Sequence, residues 1–301
     1  MTARAPATIT AVSIPSPLAD LREGTARGRV LAVFERSAYL DVAGRIVALA
    51  PAGLGRGPLT ITLDRFRALR PLAPGEAVAL DGGLLRVGGH TVGLRPSAVW
   101  DPALPTVASA AVAPGVVLRE VRRGASEASV AALLDPPRGA GPTSPHGTLL
   151  GALRRGLEVI GDFLDDRAGA DAVAGAVAEA IAGRGPGLTP SGDDLLAGIM
   201  HAATVWPWLA SRGRGADLRT VLRDAAAPRT TRISAAYLDA AAGGLASEPW
   251  HALVAGLRQS SAAACAAVRR LLTVGETSGA DALTGFCWAW SRLWDRRGPA
   301  E

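Results

Sequence analysis

Two stretches of the chain carry the residue types and spacing from which chemistry can be built. Ser191-Gly192-Asp193-Asp194-Leu195-Leu196-Ala197-Gly198 and Ser278-Gly279-Ala280-Asp281-Ala282-Leu283-Thr284-Gly285 share the pattern SGxDxLxG. In each copy a hydroxyl and a carboxylate stand three residues apart at what reads as a helix start. Leu195, Leu196, Ile199, Met200 and Ala203 recur at the spacing of one helical face after Asp193. The run before the first copy, Gly183-Arg184-Gly185-Pro186-Gly187-Leu188-Thr189-Pro190, is too rich in glycine and proline for helix. A loop therefore runs into a helix whose cap lies between Thr189 and Ser191. The free amides of a first turn attract anions, which makes Gly187, Thr189, Ser191, Gly192, Thr277, Ser278 and Gly279 candidate binding residues for phosphate or carboxylate. Asp194, Asp281 and Asp193 are the candidate catalytic acids. As simple first-turn acids they would complement the macrodipole by about 0.3–1 kcal/mol each and do nothing more.

The duplication argues for more than capping. The glycine that closes each pattern lies four residues after the aspartate, on the same helix face, where the lack of a side chain permits a close crossing. Helices crossing at Gly198 and Gly285 would bring Asp194, Asp281 and two sets of first-turn amides around one cavity.

Between the copies lies Arg229-Thr230-Thr231-Arg232-Ile233-Ser234. Arginine offers a planar fork for a carboxylate or phosphate, and Thr230 and Ser234 stand one helical turn apart, so Arg229, Arg232, Thr230, Thr231 and Ser234 join the binding candidates. The alternative is an ordinary helix cap with solvated arginines. His201 follows Asp194 by seven residues, about 10 Å of helical rise, and reads as a buried structural histidine. His146, just before a helix, is placed to reach a site from a loop. Asp193, Asp194, Asp281 and Glu276 supply enough oxygens for Mg²⁺ if they converge, but no spacing defines a metal site. No nucleophile elbow occurs from which to build a serine–histidine–aspartate triad.

GPGLTPSGDDLLAG, then RTTRIS, then TSGADALTG, resembles the bacterial family that includes the AllH subunit of oxamate carbamoyltransferase. The resemblance runs mainly from Gly147 to Trp294 and is looser in the N-terminal third. It implies a component of a multi-subunit carbamoyltransferase, moving a carbamoyl group between phosphate and oxamate in anaerobic purine (allantoin) breakdown. Many members have no assigned activity, so membership does not fix the substrate.

Composition narrows the classes. The chain has 301 residues, 49% apolar, and every one of its 32 basic residues is arginine. Without lysine there is no P-loop lysine, Schiff base or pyridoxal-phosphate anchor. The net charge of +5 comes from scattered arginines with no aromatic-interleaved stripe, so nucleic acid is not an expected partner. No run of about 18 apolar residues occurs and the start lacks an apolar signal core, which predicts a cytoplasmic protein with no membrane association. Cys265 and Cys287 fall in apolar helical stretches and read as buried thiols. The tryptophans at 206, 208, 288 and 290 read as helix packing.

The elements that must position these residues fall into two blocks, an α+β arrangement of a small N-terminal β-barrel or sandwich followed by an all-helical domain holding both motif copies. Residues 1–24 read as a loose arm or one early strand. Short β-capable runs at 29–34, 38–42, 46–49, 59–63, 77–80, 84–87 and 90–94, separated by Gly, Pro and Asp turn signals, form a β domain over 25–105. Residues 106–146 read as a connecting segment, ambiguous over 107–119, with one helix at 125–134 and a Pro/Gly loop at 136–145. Helical periodicity then covers 147–163, 168–182, the motif helix, 218–227, 230–242, 250–257, 260–274 and 280–294, a ligand-binding domain over 147–301. The expected function is a carbamoyltransferase component acting on carbamoyl phosphate and a small amide acid, alongside other subunits. Two alternatives stand: a non-catalytic small-acid-binding or scaffolding subunit, and a Mg²⁺-dependent hydrolase using the three aspartates.

Overall fold

The computed structural model describes residues 9–108, 110–135, 144–206 and 214–294. The chain divides into two compact units, Met1–Ala103 and Leu104–Glu301.

The first unit is β. Its strands among the described residues are β1 (Ile9–Pro15), β2 (Thr25–Val33), β3 (Ala38–Val42), β4 (Arg45–Pro51), β5 (Thr60–Leu63), β6 (Ala77–Asp81), β7 (Leu84–Val87), β8 (His90–Gly93) and β9 (Ala98–Trp100). They run in the order β5-β4-β3-β2-β6-β7-β8-β1-β9, and β1 also pairs with β5. That extra pairing closes eight strands into a barrel, with β9 added parallel to β1 through Ser13 and Ala98. Closure leaves those eight strands without an open edge. Alternation does the rest: Ala38, Leu40 and Val42 of β3 and Leu85 and Val87 of β7 turn inward and are buried. The β6–β7 and β7–β8 hairpins have two-residue loops, Gly82-Gly83 and Gly88-Gly89, all at positive φ, the conformation a two-residue turn of this twist demands.

Residues 9–22 are not a loose arm. β1 buries Ile9, Ala11 and Ile14, and a 3-10 helix at Ser16–Arg22 buries Leu18 and Leu21. The partners of β1 are remote, at Leu63, Val92 and Val99, and the prolines at 15 and 17 hide its short alternation from any local window.

The second unit is helical: α1 (Pro114–Gly124), α2 (Pro145–Leu164), α3 (Ala170–Ala176) continued by a π turn (Val177–Ile181), α4 (Ser191–Val205), α5 (Arg214–Ala226), α6 (Arg232–Ala242), α7 (Glu248–Gln259), α8 (Ser261–Leu271) and α9 (Ser278–Trp294). The ambiguous segment at 107–119 thus holds most of a helix, while the helix expected at 125–134 is only a 3-10 turn, Val130–Leu134, whose N-cap Ser129 accepts from the Ala131 N–H. The proline at position 114 fits the first helical turn and Ala125 ends α1 in extended backbone, so the helix lies just N-terminal to the span expected for it. The loop expected at 136–145 lies largely outside the described residues, as does Trp208. No helix among the described residues is long and apolar enough to cross a membrane.

The helical core is centred on α4 and α9, the most extensive helix pairing in the unit. Leu195, Leu196, Ile199 and Met200 of α4 and Leu283, Phe286, Cys287 and Trp290 of α9 are all buried. Trp206 stacks on Trp290 at 5.1 Å and meets Phe286 at a tilt at 5.3 Å, and Trp250 meets Phe286 at 5.2 Å, so these aromatic rings are packing groups. Burial pushes the Cys287 thiol up to about 12, which makes it inert; Cys265 is only half-buried.

Candidate functional site

The α4–α9 crossing obeys a local two-fold relation, and the sequence repeat is its cause. A Cβ on Gly198 would overlap the Ala282 carbonyl and press on the Phe286 nitrogen; a Cβ on Gly285 would overlap the Leu195 carbonyl and press on the Ile199 nitrogen. Ala282 and Phe286 occupy in the second copy the places of Leu195 and Ile199 in the first, so each helix offers the other the same surface. The relation extends to the helix starts. Gly192 lies against the Ile181 carbonyl and donates its N–H to Arg184 O at 2.8 Å, while Gly279 lies against the Leu271 carbonyl and donates to Val274 O at 3.0 Å. Each motif helix is thereby held tight against the end of the helix before it. The first approach loop is three residues longer than the second.

Both N-termini converge. Thr189 Oγ1 and Ser278 Oγ, one from each approach, are hydrogen-bonded at 3.0 Å. The cap of α4 is Pro190, with no side-chain capping bond, so the Thr189 and Ser191 hydroxyls are not spent on capping their own helix. Asp194 and Asp281 sit inside this convergence, near enough for their charges to oppose one another. The hydroxyls cross over: Ser278 of the second copy lies beside Asp194 and Ser191 of the first beside Asp281.

Burial pushes the Asp194 carboxyl well above the usual carboxylate range; the charges of Asp281 and Asp193 push the same way, and the Ser278 and Thr189 hydroxyls pull against them. Burial also raises Asp281, opposed first by the Val130 N–H, then by the Ser191 and Thr277 hydroxyls and by His146. Val130, at the start of the 3-10 turn, donates to Asp281 Oδ1 at 2.7 Å, and Asp194 receives no such backbone bond among the described residues. The second oxygen of each acid is buried and accepts no hydrogen bond: Asp194 Oδ2 and Asp281 Oδ2.

Asp193 does different work. Its counterpart in the second copy is Ala280. Asp193 is 1% exposed; Oδ1 accepts from the Gly183 N–H at 2.8 Å, and Oδ2 accepts from Ser234 Oγ at 2.7 Å and from Thr230 Oγ1. Gly183 holds φ +67° and meets the Arg229 carbonyl where a Cβ would be, so only glycine fits this joint. The Arg229–Ser234 segment is therefore a strap. Thr231 caps α6 by accepting from the Ser234 N–H and donates its own hydroxyl to Leu188 O, so both threonines and Ser234 bind protein groups of the α4 approach. Arg229 and Arg232 are exposed, with Arg229 Nη1 3.4 Å from Ala178 O.

Some sequence expectations change accordingly. The amides of Gly192 and Gly279 are used within the protein and are not free to hold an anion. Asp193 turns toward the strap, so the three aspartates do not form one oxygen cluster; Glu276 is exposed, and no group of three or more His, Cys, Asp or Glu among the described residues is placed to hold a metal. Gly187 is exposed at φ +94° in the approach loop. His201 is buried against Trp250 at 4.8 Å, and burial lowers its pKa to about 3. The Val130 N–H was not visible in the sequence, since it lies 151 positions from Asp281 and a backbone donor leaves no residue signature.

No solved structure matches this chain. Two family models do: AllH, described as oxamate carbamoyltransferase subunit AllH, over residues 181–290, and the AllH family N-terminal domain over residues 10–98. The first spans both motif copies and the strap between them, the second the barrel, and together they cover most of the protein, which belongs to the AllH family of oxamate carbamoyltransferase subunits.

Proposed function

We propose that this protein is the component of an oxamate carbamoyltransferase in which carbamoyl transfer is carried out at the convergence of α4 and α9. The observation that carries the reading is the pair of desolvated carboxylates, Asp194 and Asp281, delivered by duplicated helix starts and each left with an unpartnered oxygen. Carbamoyl transfer from carbamoyl phosphate to oxamate needs no covalent enzyme intermediate. The oxamate amide nitrogen attacks the carbamoyl carbon, the new C–N bond forms as the nitrogen loses a proton, and the C–O bond to phosphate breaks with its electrons leaving on phosphate. An amide nitrogen is a poor nucleophile, so alignment and a proton acceptor are the main demands. Asp194, whose carboxyl burial holds well above the usual carboxylate range, is suited to exchange that proton, and Asp281, fixed by the Val130 N–H, to orient the nitrogen. Asp193, Thr230 and Ser234 are positioning residues that fix the approach to α4.

The reading places the chain beside other subunits in the cytoplasm, in allantoin breakdown. The test is phosphate-dependent cleavage of carbamoyl-oxamate by the chain assembled with its partner subunits. Asp194→Asn is expected to lower kcat by at least 100-fold, and wild-type levels of turnover in that variant would make the helix pair a scaffold and move the chemistry to another subunit.

A further inference from the structure

The balance of hydrogen-bond donors and acceptors at the α4–α9 convergence carries a more specific conclusion about what the pocket holds. Five of the first-turn amides that would grip an anion are already engaged. Gly192 N–H is bonded to Arg184 O, Asp193 and Asp194 N–H to Pro190 O, Gly279 N–H to Val274 O and Asp281 N–H to Thr277 O. The acceptors are not. Asp281 is 0% exposed with Oδ2 unpartnered, and Asp194 Oδ2 is buried and unpartnered beside it. Leaving a buried acceptor unmet is costly, so the site is built to be completed by something that brings donors. An oxyanion brings only more acceptors and negative charge into a poorly solvated space.

We propose that Asp194 Oδ2 and Asp281 Oδ2 accept the N–H bonds of the –NH₂ group of a primary amide or ureido ligand, so that this pocket takes the nitrogen end of the substrate and rejects phosphate and carboxylate. A –NH₂ group presents two donors in one plane and no charge, which matches two acceptors arriving from two related helix starts. The Ser191, Ser278, Thr189 and Thr277 hydroxyls around the acids can each donate to the adjoining carbonyl of such a ligand. Asp193, the remaining acid nearby, has its oxygens occupied by Gly183, Thr230 and Ser234, and His146 faces Asp281 from the start of α2. The proposal rests on the carbamoyltransferase reading for the identity of the amide, and on the pocket alone for its preference.

Oxamate and oxalate test it, because they differ only in –NH₂ against O⁻ on the same two-carbon frame. Calorimetric titrations at pH 7 use the full chain, alone and assembled with its partner subunits, with oxamate, oxalate, inorganic phosphate and Mg²⁺ as separate titrants. Oxamate is expected to bind at least tenfold more tightly than oxalate or phosphate. Asp194→Asn or Asp281→Asn, which turns an acceptor into a donor in the same shape, is expected to shift that ratio at least tenfold toward oxalate, with circular dichroism confirming the fold. The wild-type ratio stands as a test even if a variant does not fold. Oxalate or phosphate binding as well as oxamate, a ratio unmoved in folded variants, saturable Mg²⁺ binding without amide preference, or no oxamate binding in either form would overturn the proposal. Turnover with no amide preference sinks this inference alone; amide preference with no carbamoyl transfer by the assembled enzyme sinks the functional reading and leaves this one standing.

Discussion

At the scale of single residues, the two kinds of buried titratable group in the helical unit have opposite effects on stability. Asp194 has its pKa raised in the fold, mainly by burial. The folded state then holds the proton more tightly than the unfolded chain, so this group's contribution is whole below the unfolded value, near 3.8, and is lost as pH rises through the folded value. Asp194→Asn removes the penalty of burying that charge. It is expected to raise the melting temperature at pH 8 and to leave it unchanged near pH 4; equal shifts at both pH values would mean that Asp194 is not desolvated. His201 runs the other way, lowered from 6.5 to about 3 by burial. It stays neutral in the fold while the unfolded chain takes up a proton, so stability is whole above pH 6.5 and falls toward pH 3 by up to roughly 1.4 kcal/mol per pH unit. His201→Phe, set against Trp250, should therefore show a flatter loss of stability between pH 6.5 and 3 in denaturant titrations, with a slope reduced by close to one proton.

At the scale of elements, the glycine pair at the α4–α9 crossing and the Asp193 strap hold the acids in place. Gly198→Ala and Gly285→Ala each force a methyl onto the facing helix backbone, which cannot yield as a flexible side chain would. Each is expected to cost about 1–3 kcal/mol in equilibrium unfolding, and the pair to be non-additive, because once one substitution has moved the helices apart the second meets less resistance. Additive losses would mean that the two glycines pack independently. Asp193→Ala leaves the Gly183 N–H and two hydroxyls without their acceptor, so it should lower stability and slow turnover together, unlike Asp194→Asn. The crossing was legible in the sequence, since SGxDxLxG repeats with glycine one turn after aspartate and both features are local. The strap was legible only as a motif: Thr230 and Ser234 read as ligand-binding hydroxyls because their true partner lies 37 and 41 positions away. In the same way β1 was left open between an arm and an early strand because its pairing is remote, whereas β3 and β7 were found at their true bounds from alternation and flanking turns.

At the scale of the whole molecule, the chain carries two hydrophobic cores that share no residue. One is built from Ile9 to Leu94 inside the barrel, the other from Leu104 to Trp290 around α4 and α9. Sequence texture showed that division, because period-2 runs give way to period-3.6 runs near residue 105, and each pattern buries its apolar side chains among neighbours of its own kind. Both motif copies and the strap lie in the second block, and so does the proposed site. Separate cores predict separable unfolding. Leu40 and Leu283 are both 0% exposed, one in each core, and replacing either with alanine should cost about 2–5 kcal/mol by leaving a cavity. Differential scanning calorimetry of Leu40→Ala is then expected to lower the barrel's transition and leave that of the helical unit in place, and Leu283→Ala to do the reverse. Binding of oxamate should raise only the transition that Leu283→Ala lowers, since a ligand stabilises the unit that holds it. A single transition moved equally by both substitutions would show that the two cores unfold as one cooperative block, and a ligand-induced rise confined to the barrel's transition would place the substrate site in the other unit.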